Sequence, residues 1–255
     1  MNYFSSNETA ARYSKGRPNF HPVSIQKIKT FLQIEHKLER VVDIACGTGL
    51  STEALLDIAE NVFGTDTSPE MLKNARSKEV INYAIAQAEK QPFEDNTFDL
   101  VTVCSAVHWF RIDDFLLEAN RLLKSKAFLV LYDNYFISEM EGVPEFSDWF
   151  PEIYLKRFPS PKRRNDYDWS NSNLRNKNFS VVSEDHFKNE ITFTKHELIL
   201  YLTSQSNITD AVIRGEKYPE IEFWLNQELS QFFAKKNSSR IIYFGNWMKY
   251  LKRNA

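Results

Sequence analysis

Two glycines, Gly47 and Gly49, follow a short apolar run, Val41 to Ala45, and stand before a helical pattern. The chain has only seven glycines in 255 residues, so this pair marks a turn with special requirements. Glycine permits unusual backbone dihedral angles and lets a ligand approach the backbone closely. In a doubly wound sheet, ligands bind outside the carboxyl ends of the strands, near helix N-termini. The pattern predicts a ligand-binding loop; the alternative is a tight βα turn without a ligand.

The loop differs from two well-known phosphate-binding loops. A dinucleotide loop, G-x-G-x-x-G, needs a third glycine where this chain has Thr52. A P-loop needs Gly-Lys-Ser/Thr, and that sequence does not follow here. Asp43, just ahead of the glycines, can instead face a cationic or amine-bearing ligand or orient the loop amides. The loop is therefore neither the dinucleotide-binding motif nor a P-loop.

The next two strand ends carry further candidate ligand-binding residues. Asp66 closes the second apolar run, where a carboxylate can accept both hydroxyls of a ribose. Met71 follows one helical turn later, where a methionine fits either an adenine face or the core. Gln87 and Glu89 leave the third run at places suited to hydrogen-bonding an adenine edge. Three strand ends thus predict sites for a methionyl group, a ribose and a base.

Alternating short and long apolar patterns must position these residues. Strands are predicted at 41–45, 61–66, 80–85, 98–104 and 126–132, and helices at 50–60, 68–77 and 112–124. Ser68-Pro69 is a helix start signal, with serine as the cap and proline at the first helical position. Such βα alternation implies right-handed crossovers and a parallel sheet covered on both faces.

The pattern changes after the fifth strand. Residues 133–178 are rich in aromatic residues, proline and asparagine, and have weak periodicity. Strands are predicted at 181–194 and 240–253, with helices at 195–206 and 219–236. We predict a helical cap between the fifth strand and the closing strand.

Composition limits the class of protein. The net charge of −2 gives no basic footprint for nucleic acid, and the runs Lys162–Arg164 and Lys235-Lys236 are typical of solvated surface. Two cysteines suit a reducing compartment and form no zinc pattern. No acidic cluster indicates a metal site. With no signal-peptide core and no membrane-length apolar run, we expect a cytoplasmic protein that binds neither membrane nor nucleic acid.

The motifs DIACGTG, GTDTSPEML, AQAEKQPFEDNTFDLV and EANRLLK, in this order and spacing over residues 40–132, resemble the class I S-adenosylmethionine-dependent methyltransferases. The resemblance implies a Rossmann-like sheet of seven strands, the last one antiparallel. It also implies cofactor contacts from Asp43, Ala45, Gly47 and Gly49 to the methionine portion, Asp66 to the ribose, and Thr67, Met71, Gln87, Ala88 and Glu89 to the adenosine region. Two positions depart from the family: Ala45 replaces its first glycine, and Ser125-Lys126-Ala127 replaces a glycine pair before strand 5.

A closer resemblance follows from the run after the fourth strand. Ala-Val-His-Trp-Phe at 106–110 is similar to the trans-aconitate methyltransferase-like group of small-molecule enzymes, as is the entry segment AARYSKGRPNFHP. That group implies that Tyr13 and Arg17 lie near the cofactor and close the pocket. We add Cys104, at the end of the fourth strand, to the cofactor-binding set.

Methyl transfer is an in-line displacement in which the cofactor supplies the reactivity and the protein supplies alignment. A carboxylate acceptor needs only placement, which His108 and Arg111 can assist; for a hydroxyl or carbon acceptor His108 is the candidate general base. Trp109 and Tyr135 are candidate substrate contacts. We expect O-methylation of a small carboxylate or hydroxyl compound. Alternatives are N- or C-methylation, a macromolecular acceptor, a cofactor-binding protein without turnover, and a nucleotide-dependent oxidoreductase.

The predicted organisation is one methyltransferase domain over 1–255. Its segments are an N-terminal lid at 1–38, a cofactor-binding core at 40–132, a helical cap with the sixth strand at 133–238, and a closing strand at 239–255. The sequence leaves open the acceptor, the methylated atom and the oligomeric state.

Overall fold

A computed structural model describes residues 6–77, 79–161, 166–233 and 238–254. Seven strands form one sheet in the order β3-β2-β1-β4-β5-β7-β6. Their bounds are β1 Leu38–Ile44, β2 Ala59–Asp66, β3 Ile81–Ile85, β4 Phe98–Cys104, β5 Leu123–Met140, β6 Phe179–Thr194 and β7 Ser239–Arg253. Strands β1 to β5 pair in parallel, and β7 is antiparallel. The predicted Rossmann-like sheet of seven strands, with the last strand antiparallel, is therefore confirmed.

Helices connect and cover the strands. They are α1 Asn7–Gly16, α2 His21–Phe31, α3 Leu50–Ala54, α4 Pro69–Lys73, α5 Ile112–Leu122, α6 Glu145–Trp149, α7 Leu155–Arg157, α8 Asn171–Arg175, α9 Lys195–Thr203, α10 Ser206–Ile213 and α11 Tyr218–Leu229. Ser68 caps α4 as predicted, because its hydroxyl accepts the Met71 N–H. Thr194 and Glu197 form a reciprocal capping box that starts α9.

Several elements differ in length from the sequence prediction. The first helix after the glycines ends at Ala54, since the chain continues into a 3₁₀ turn and β2 already begins at Ala59. Ile58 and Ala59 are buried in the core at this point. The apolar pattern that predicted a helix therefore belongs to a turn and the start of a strand. Strand β5 extends to Met140 rather than ending at 132. Backbone pairing continues beyond that strand, because the Glu141 N–H donates to the Ile241 carbonyl.

The chain forms two compact units. The core unit comprises Asn19–Asn134, Arg163–Phe187 and Asn246–Ala255; the cap unit comprises Met1–Pro18, Tyr135–Lys162 and Lys188–Gly245. In the core unit, alternate β5 residues face two apolar clusters: Leu129 and Leu131 lie with α5, and Val130 and Tyr132 lie with α2. The cap unit is packed by aromatic rings, including the stacked pair Phe146 and Trp149. The predicted segment boundaries stay predictions.

Candidate functional site

The carboxyl ends of four parallel strands lie side by side in the core unit. Ile44 is in register with Thr65, Asp66 with Ile85, and Asp43 with Thr102. The predicted ligand-binding residues therefore lie at or just after adjacent strand ends. They belong to the glycine loop, to β2, and to the segments after β3 and β4. This edge is where ligands bind in sheets of this topology.

The glycine loop takes an unusual backbone path. Ala45, Gly47 and Gly49 all have positive φ, at 58°, 55° and 76°. The Cys46 N–H donates to the Thr65 carbonyl at 2.9 Å, which ties the loop to β2, and the Gly49 N–H returns to the Cys46 carbonyl at 2.9 Å. Left-handed conformations cost an L-residue about 1–2 kcal/mol, and glycine avoids this cost. Ala45 nevertheless adopts a left-handed conformation.

Gly49 has a second requirement besides its dihedral angles. A Cβ at this position would lie 2.2 Å from Tyr83 Oη, and a Cβ on Gly64 would lie 2.6 Å from the same ring. The Tyr83 hydroxyl donates to the Arg76 carbonyl at 2.9 Å. Gly49 thus leaves space for the Tyr83 ring. This packing requirement is one reason for a glycine at position 49, and it does not depend on a ligand.

Asp43 is fully buried beneath the loop. Its Oδ2 accepts hydrogen bonds from the hydroxyls of Ser51 at 2.6 Å and Thr52 at 2.8 Å, and its Oδ1 accepts from Thr102 at 2.8 Å. Burial raises the pKa of Asp43 to about 6, against the opposing effect of the three hydroxyl donors. These bonds join β1, α3 and β4, which suits the orientation of the loop, one of the two roles considered for Asp43.

The raised pKa of Asp43 gives a pH-dependent contribution to stability. The folded pKa of about 6 exceeds the ordinary aspartate value of about 3.9, so the native state binds more protons between these values. Stability from this group is present below about pH 4 and is lost as the pH rises through 6. Relative to Asp43→Asn, the free energy of unfolding of the natural protein should fall by about 2 kcal/mol from pH 4 to pH 7.

Urea unfolding of both proteins at several pH values measures this difference, since the groups that they share cancel. Asp57→Asn, at an aspartate whose side chain is 65% exposed, is the matched control for the loss of a surface carboxylate. A flat or rising difference for Asp43→Asn would contradict the assignment.

Asp66, at the end of β2, reaches back to the glycine loop. Its Oδ2 accepts the Gly47 N–H and its Oδ1 accepts the Ser68 N–H, both at 2.8 Å. Burial raises the pKa of this half-buried carboxyl, while the backbone donors lower it. An ionised carboxylate offers about four lone-pair positions, so Asp66 retains capacity for additional donors such as ribose hydroxyls.

The residues predicted to contact adenosine occupy different environments. Met71 is buried one turn into α4, and Thr67 is exposed beside it. After β3, Gln87 forms an isolated antiparallel bridge with Lys90, so the chain turns back sharply at the strand end. This turn leaves the Gln87 side chain exposed and buries Ala88. The group lies at one edge, but only Gln87 and Thr67 have side chains largely open to solvent.

The Glu89 carboxylate accepts a hydrogen bond within the core unit. Its Oε1 accepts the backbone N–H of Arg111 at 2.8 Å, immediately before α5. Arg111 itself is exposed and pairs with Asp114 at 2.7 Å through its side chain. Glu89 thus connects the segment after β3 with the segment after β4, and the Arg111 guanidinium is engaged on the surface.

The segment after β4 places an imidazole and an indole together. Val107–Trp109 form a 3₁₀ turn in which the His108 and Trp109 ring centroids lie 4.7 Å apart. The Trp109 side chain is 43% exposed. Burial raises the pKa of the preceding Cys104 to about 12, so its thiol stays protonated, 3.5 Å from the Ser105 hydroxyl.

Three predicted site residues, Tyr13, Arg17 and Tyr135, belong to the cap unit. The Arg17 guanidinium lies 4.7 Å from the Tyr13 ring centroid and 5.3 Å from that of Tyr201. The Tyr135 ring packs against Gly245, where a Cβ would lie 2.3 Å from it. Arg17 thus makes cation–π contacts with Tyr13 and Tyr201, and Tyr135 packs against Gly245, all within the cap unit.

Sequence reasoning missed several side chains of this edge. Asp133 follows Tyr132 on β5 and accepts a hydrogen bond from the Ser105 hydroxyl, which sits on a residue with φ of 54°. A polar residue directly after the predicted strand 126–132 was an available signal for Asp133. Thr102, a polar residue inside the apolar run 100–104, was the signal for the Asp43 contact. Nothing in the local pattern indicated Tyr83.

The loop chemistry fits S-adenosylmethionine. Asp66 keeps acceptor capacity, as ribose recognition requires, and lies next to the loop. The Thr48 hydroxyl is buried inside the loop and has no hydrogen-bond partner among the described residues. A zwitterionic methionyl group offers both donors and acceptors to such a hydroxyl and to the loop backbone.

Comparison with known proteins agrees with this geometry. Residues 42–131 match the family model described as a methyltransferase domain. A Dictyostelium discoideum protein assigned as a methyltransferase is 29% identical over 121 residues, 47% of this chain and 46% of that protein. A methyltransferase of Mycobacterium bovis is 32% identical over 44% of each chain. The match thus spans about half the length of these relatives.

Solved structures show the same fold. A type II methyltransferase assigned in Anaeromyxobacter dehalogenans superposes with a TM-score of 0.72 at 18% identity, covering 92% of this chain and 97% of that one. The sheet, the loop and the sequence match define the class: the fold is the Rossmann-like methyltransferase fold. Residues 42–131, the part of the chain that contains the glycine loop and Asp66, match a methyltransferase domain.

Two further observations concern the described residues only. None of the helices in the described ranges is long and apolar enough to cross a membrane. Among the same residues, no group of three or more His, Cys, Asp or Glu side chains is placed to hold a metal ion. The basic runs Lys162–Arg164 and Lys235-Lys236 lie outside the described residues.

Proposed function

We propose that this chain transfers the methyl group of S-adenosylmethionine to a small-molecule acceptor, preferentially at oxygen. The observation that carries the proposal is the hydrogen bond from the Gly47 N–H to Asp66, inside the region that matches a methyltransferase domain. It joins the Asp66 carboxylate to the glycine loop at one sheet edge. A cofactor with a methionyl group joined to a ribose spans these two features.

The cofactor supplies an electrophilic methyl group on a sulfonium. In this proposal the loop at 45–49 holds the methionyl portion, Asp66 accepts the ribose hydroxyls, and the segment 87–89 borders the base. Asp43 acts from below by holding α3 and β4 against the loop. The protein thereby fixes the direction of the methyl group, which is its main contribution to an in-line displacement.

The acceptor side is proposed to lie after β4. His108 and Trp109 share one 3₁₀ turn, so the indole can wall the acceptor while the imidazole orients it or removes its proton. Arg111 is paired with Asp114 and contributes to acceptor binding only if that exposed pair opens. The closing roles of Tyr13 and Arg17 and the substrate contact of Tyr135 stay predictions.

The resemblance of residues 106–110 to the trans-aconitate methyltransferase-like group supports oxygen as the methylated atom and carboxylate or hydroxyl compounds as acceptors. A demethylmenaquinone methyltransferase of Staphylococcus carnosus, 27% identical over 66% of this chain and 71% of that protein, adds quinone-type compounds to the acceptor screen. N- and C-methylation remain the alternatives that this screen decides.

Calorimetric titration with S-adenosylmethionine tests the cofactor assignment, with NAD as the control. We expect micromolar binding of S-adenosylmethionine alone. Binding of NAD instead would overturn the proposal. With the cofactor bound, an acceptor screen with isotopically labelled methyl groups then tests turnover.

His108→Ala should lower turnover by about 100-fold or more if the imidazole takes the acceptor proton, since general bases contribute about 10²–10⁴-fold. Cofactor affinity should stay within a factor of about two. The matched control is His36→Ala, at an exposed histidine of the core unit, and it should leave both quantities unchanged. Full turnover in His108→Ala would reduce His108 to a structural role.

A further inference from the structure

A group of polar side chains is buried in the face of the sheet that packs against α2. His21 and Ser24 come from α2, Tyr132 and Asn134 from β5, and Asn246 from β7, all within the core unit. We name these five residues the amide cluster. Each is at most 6% exposed. Burying polar groups is costly unless they are hydrogen-bonded, so each polar atom of the cluster calls for a partner.

The partners within the amide cluster are incomplete. Asn246 Nδ2 donates to Asn134 Oδ1 at 2.6 Å and to Ser24 Oγ at 3.4 Å, and His21 Nδ1 lies 3.1 Å from Tyr132 Oη. Asn134 Nδ2 and Asn246 Oδ1 are buried and have no hydrogen-bond partner among the described residues. One amide donor and one amide acceptor are thus unsatisfied.

This count does not depend on how the two amides are oriented. Exchanging O and N in both asparagines would preserve the hydrogen bond between them with its direction reversed. The unsatisfied donor would then belong to Asn246 and the unsatisfied acceptor to Asn134. In either arrangement, one amide N–H of the cluster has no acceptor and one amide oxygen has no donor.

The amide cluster is electrically neutral. Burial lowers the pKa of His21 to about 4, so its imidazole is uncharged near neutral pH, and burial raises the pKa of the Tyr132 hydroxyl well above its usual range. The side chains of Ser24 and the two asparagines do not ionise. An ion entering this site would lose its hydration without meeting an opposite charge, which is strongly unfavourable.

The cluster lies at the sheet edge where the acceptor is expected. Tyr132 is in register with Cys104, the last residue of β4, and Asn134 is two residues further along β5. Farther from this edge, the same face is filled by apolar residues, such as Ile25 and Ile28 of α2 and Val130 of β5. The unsatisfied polar atoms are thus confined to the carboxyl end of the sheet.

We propose that the amide cluster binds an uncharged group of the acceptor that presents a carbonyl oxygen and an N–H or O–H side by side, such as a lactam or a carboxamide. Its carbonyl accepts from the free amide N–H, and its donor satisfies the free amide oxygen. A carboxylate fits poorly, because one of its oxygens would face the amide oxygen. The assignment of this group to the acceptor rests on the proposed methyltransferase function; the binding site itself does not.

Side-chain amide signals in ¹H–¹⁵N spectra of the full chain test this site. The probes are 2-pyrrolidone and acetamide, with acetate as the charged counterpart. We expect the Asn134 and Asn246 signals to shift saturably with 2-pyrrolidone and not with acetate. The side chain of Asn61, an exposed asparagine that donates to the Glu39 carbonyl, provides the internal control and should not respond.

Asn134→Asp and Asn246→Asp keep the side-chain shape and should weaken 2-pyrrolidone binding about tenfold, the loss expected for one hydrogen bond. Asn61→Asp is the matched control and should bind as the natural protein does. If the two cluster variants do not fold, the response of the Asn134 and Asn246 side-chain amide signals in the natural protein still tests whether the probes bind.

Three results would overturn the inference: no response to either amide probe, an equal response to acetate, or a bound water in the cluster that the probes do not displace. Parallel calorimetry with S-adenosylmethionine separates the two proposals. Cofactor binding without an amide response removes the subsite and leaves the methyltransferase function. An amide response without cofactor binding supports the subsite and removes its assignment to a methyl acceptor.

Discussion

Replacing Asp66 with alanine is expected to weaken S-adenosylmethionine binding by about 100-fold or more. The carboxylate is proposed to accept the ribose hydroxyls, and a hydrogen bond to a charged group contributes about 1.5–3 kcal/mol. Losing two of them corresponds to at least two orders of magnitude in Kd. Calorimetry measures the loss. Asp57→Ala, at an exposed aspartate of the same unit, is the matched control and should bind the cofactor normally.

The Asp66 carboxylate also accepts the Gly47 and Ser68 N–H groups, so the variant disturbs the loop as well. Adenosine and 2′,3′-dideoxyadenosine distinguish the two effects. If Asp66 contacts the ribose, the natural protein prefers adenosine strongly and Asp66→Ala loses this preference. Weakening of both nucleosides by the same factor, with the preference retained, would show that Asp66 only holds the loop.

Replacing Gly49 with alanine should lower the free energy of unfolding by about 3 kcal/mol. The left-handed backbone, with φ of 76°, costs an alanine about 1–2 kcal/mol, and crowding against Tyr83 adds about 1–3 kcal/mol. Tyr83 has little room to withdraw, because its ring also packs over Gly64 and its hydroxyl is bonded to the Arg76 carbonyl. Urea unfolding measures the change.

Gly142 provides the matched control for this substitution. Its φ is 68°, close to that of Gly49, but a Cβ there would meet no atom within 4 Å. Gly142→Ala therefore reports the backbone cost alone, about 1–2 kcal/mol. In a Tyr83→Ala background, Gly49→Ala should fall to this smaller value. Equal losses at Gly49 and Gly142 in the natural background would refute the Tyr83 contact as a constraint.

Local patterns in the sequence determined the order of the elements and the position of the ligand-binding edge. The apolar runs at 41–45, 61–66 and 98–104 each overlap a strand, because a strand buried on both faces requires a continuous apolar stretch. Ser68-Pro69 gave the start of α4, since capping depends on residues three positions apart. These signals are short-range, so they can be detected without the fold.

Element lengths depended on pairing between distant segments. Strand β5 extends to Met140, and the Glu141 N–H meets the Ile241 carbonyl, one hundred residues away in the chain. Residues 133–140 have a weak pattern of their own, so their strand structure comes from their neighbours in the sheet. Conversely, the apolar pattern near Ile58 predicted a helix, but β2 already begins at Ala59.

The sequence by itself determined the fold class, the glycine loop and the carboxylate at the end of β2, because each follows from residue types at fixed short spacings. The tertiary structure alone decided what those residues touch. Asp43 meets Thr102 across 59 positions, and His21 meets Tyr132 across 111. Such contacts form where distant segments pack in the core, and burial there neutralises His21 and leaves two amide groups unsatisfied. No local periodicity records a packing partner, so these properties exist only in the folded chain.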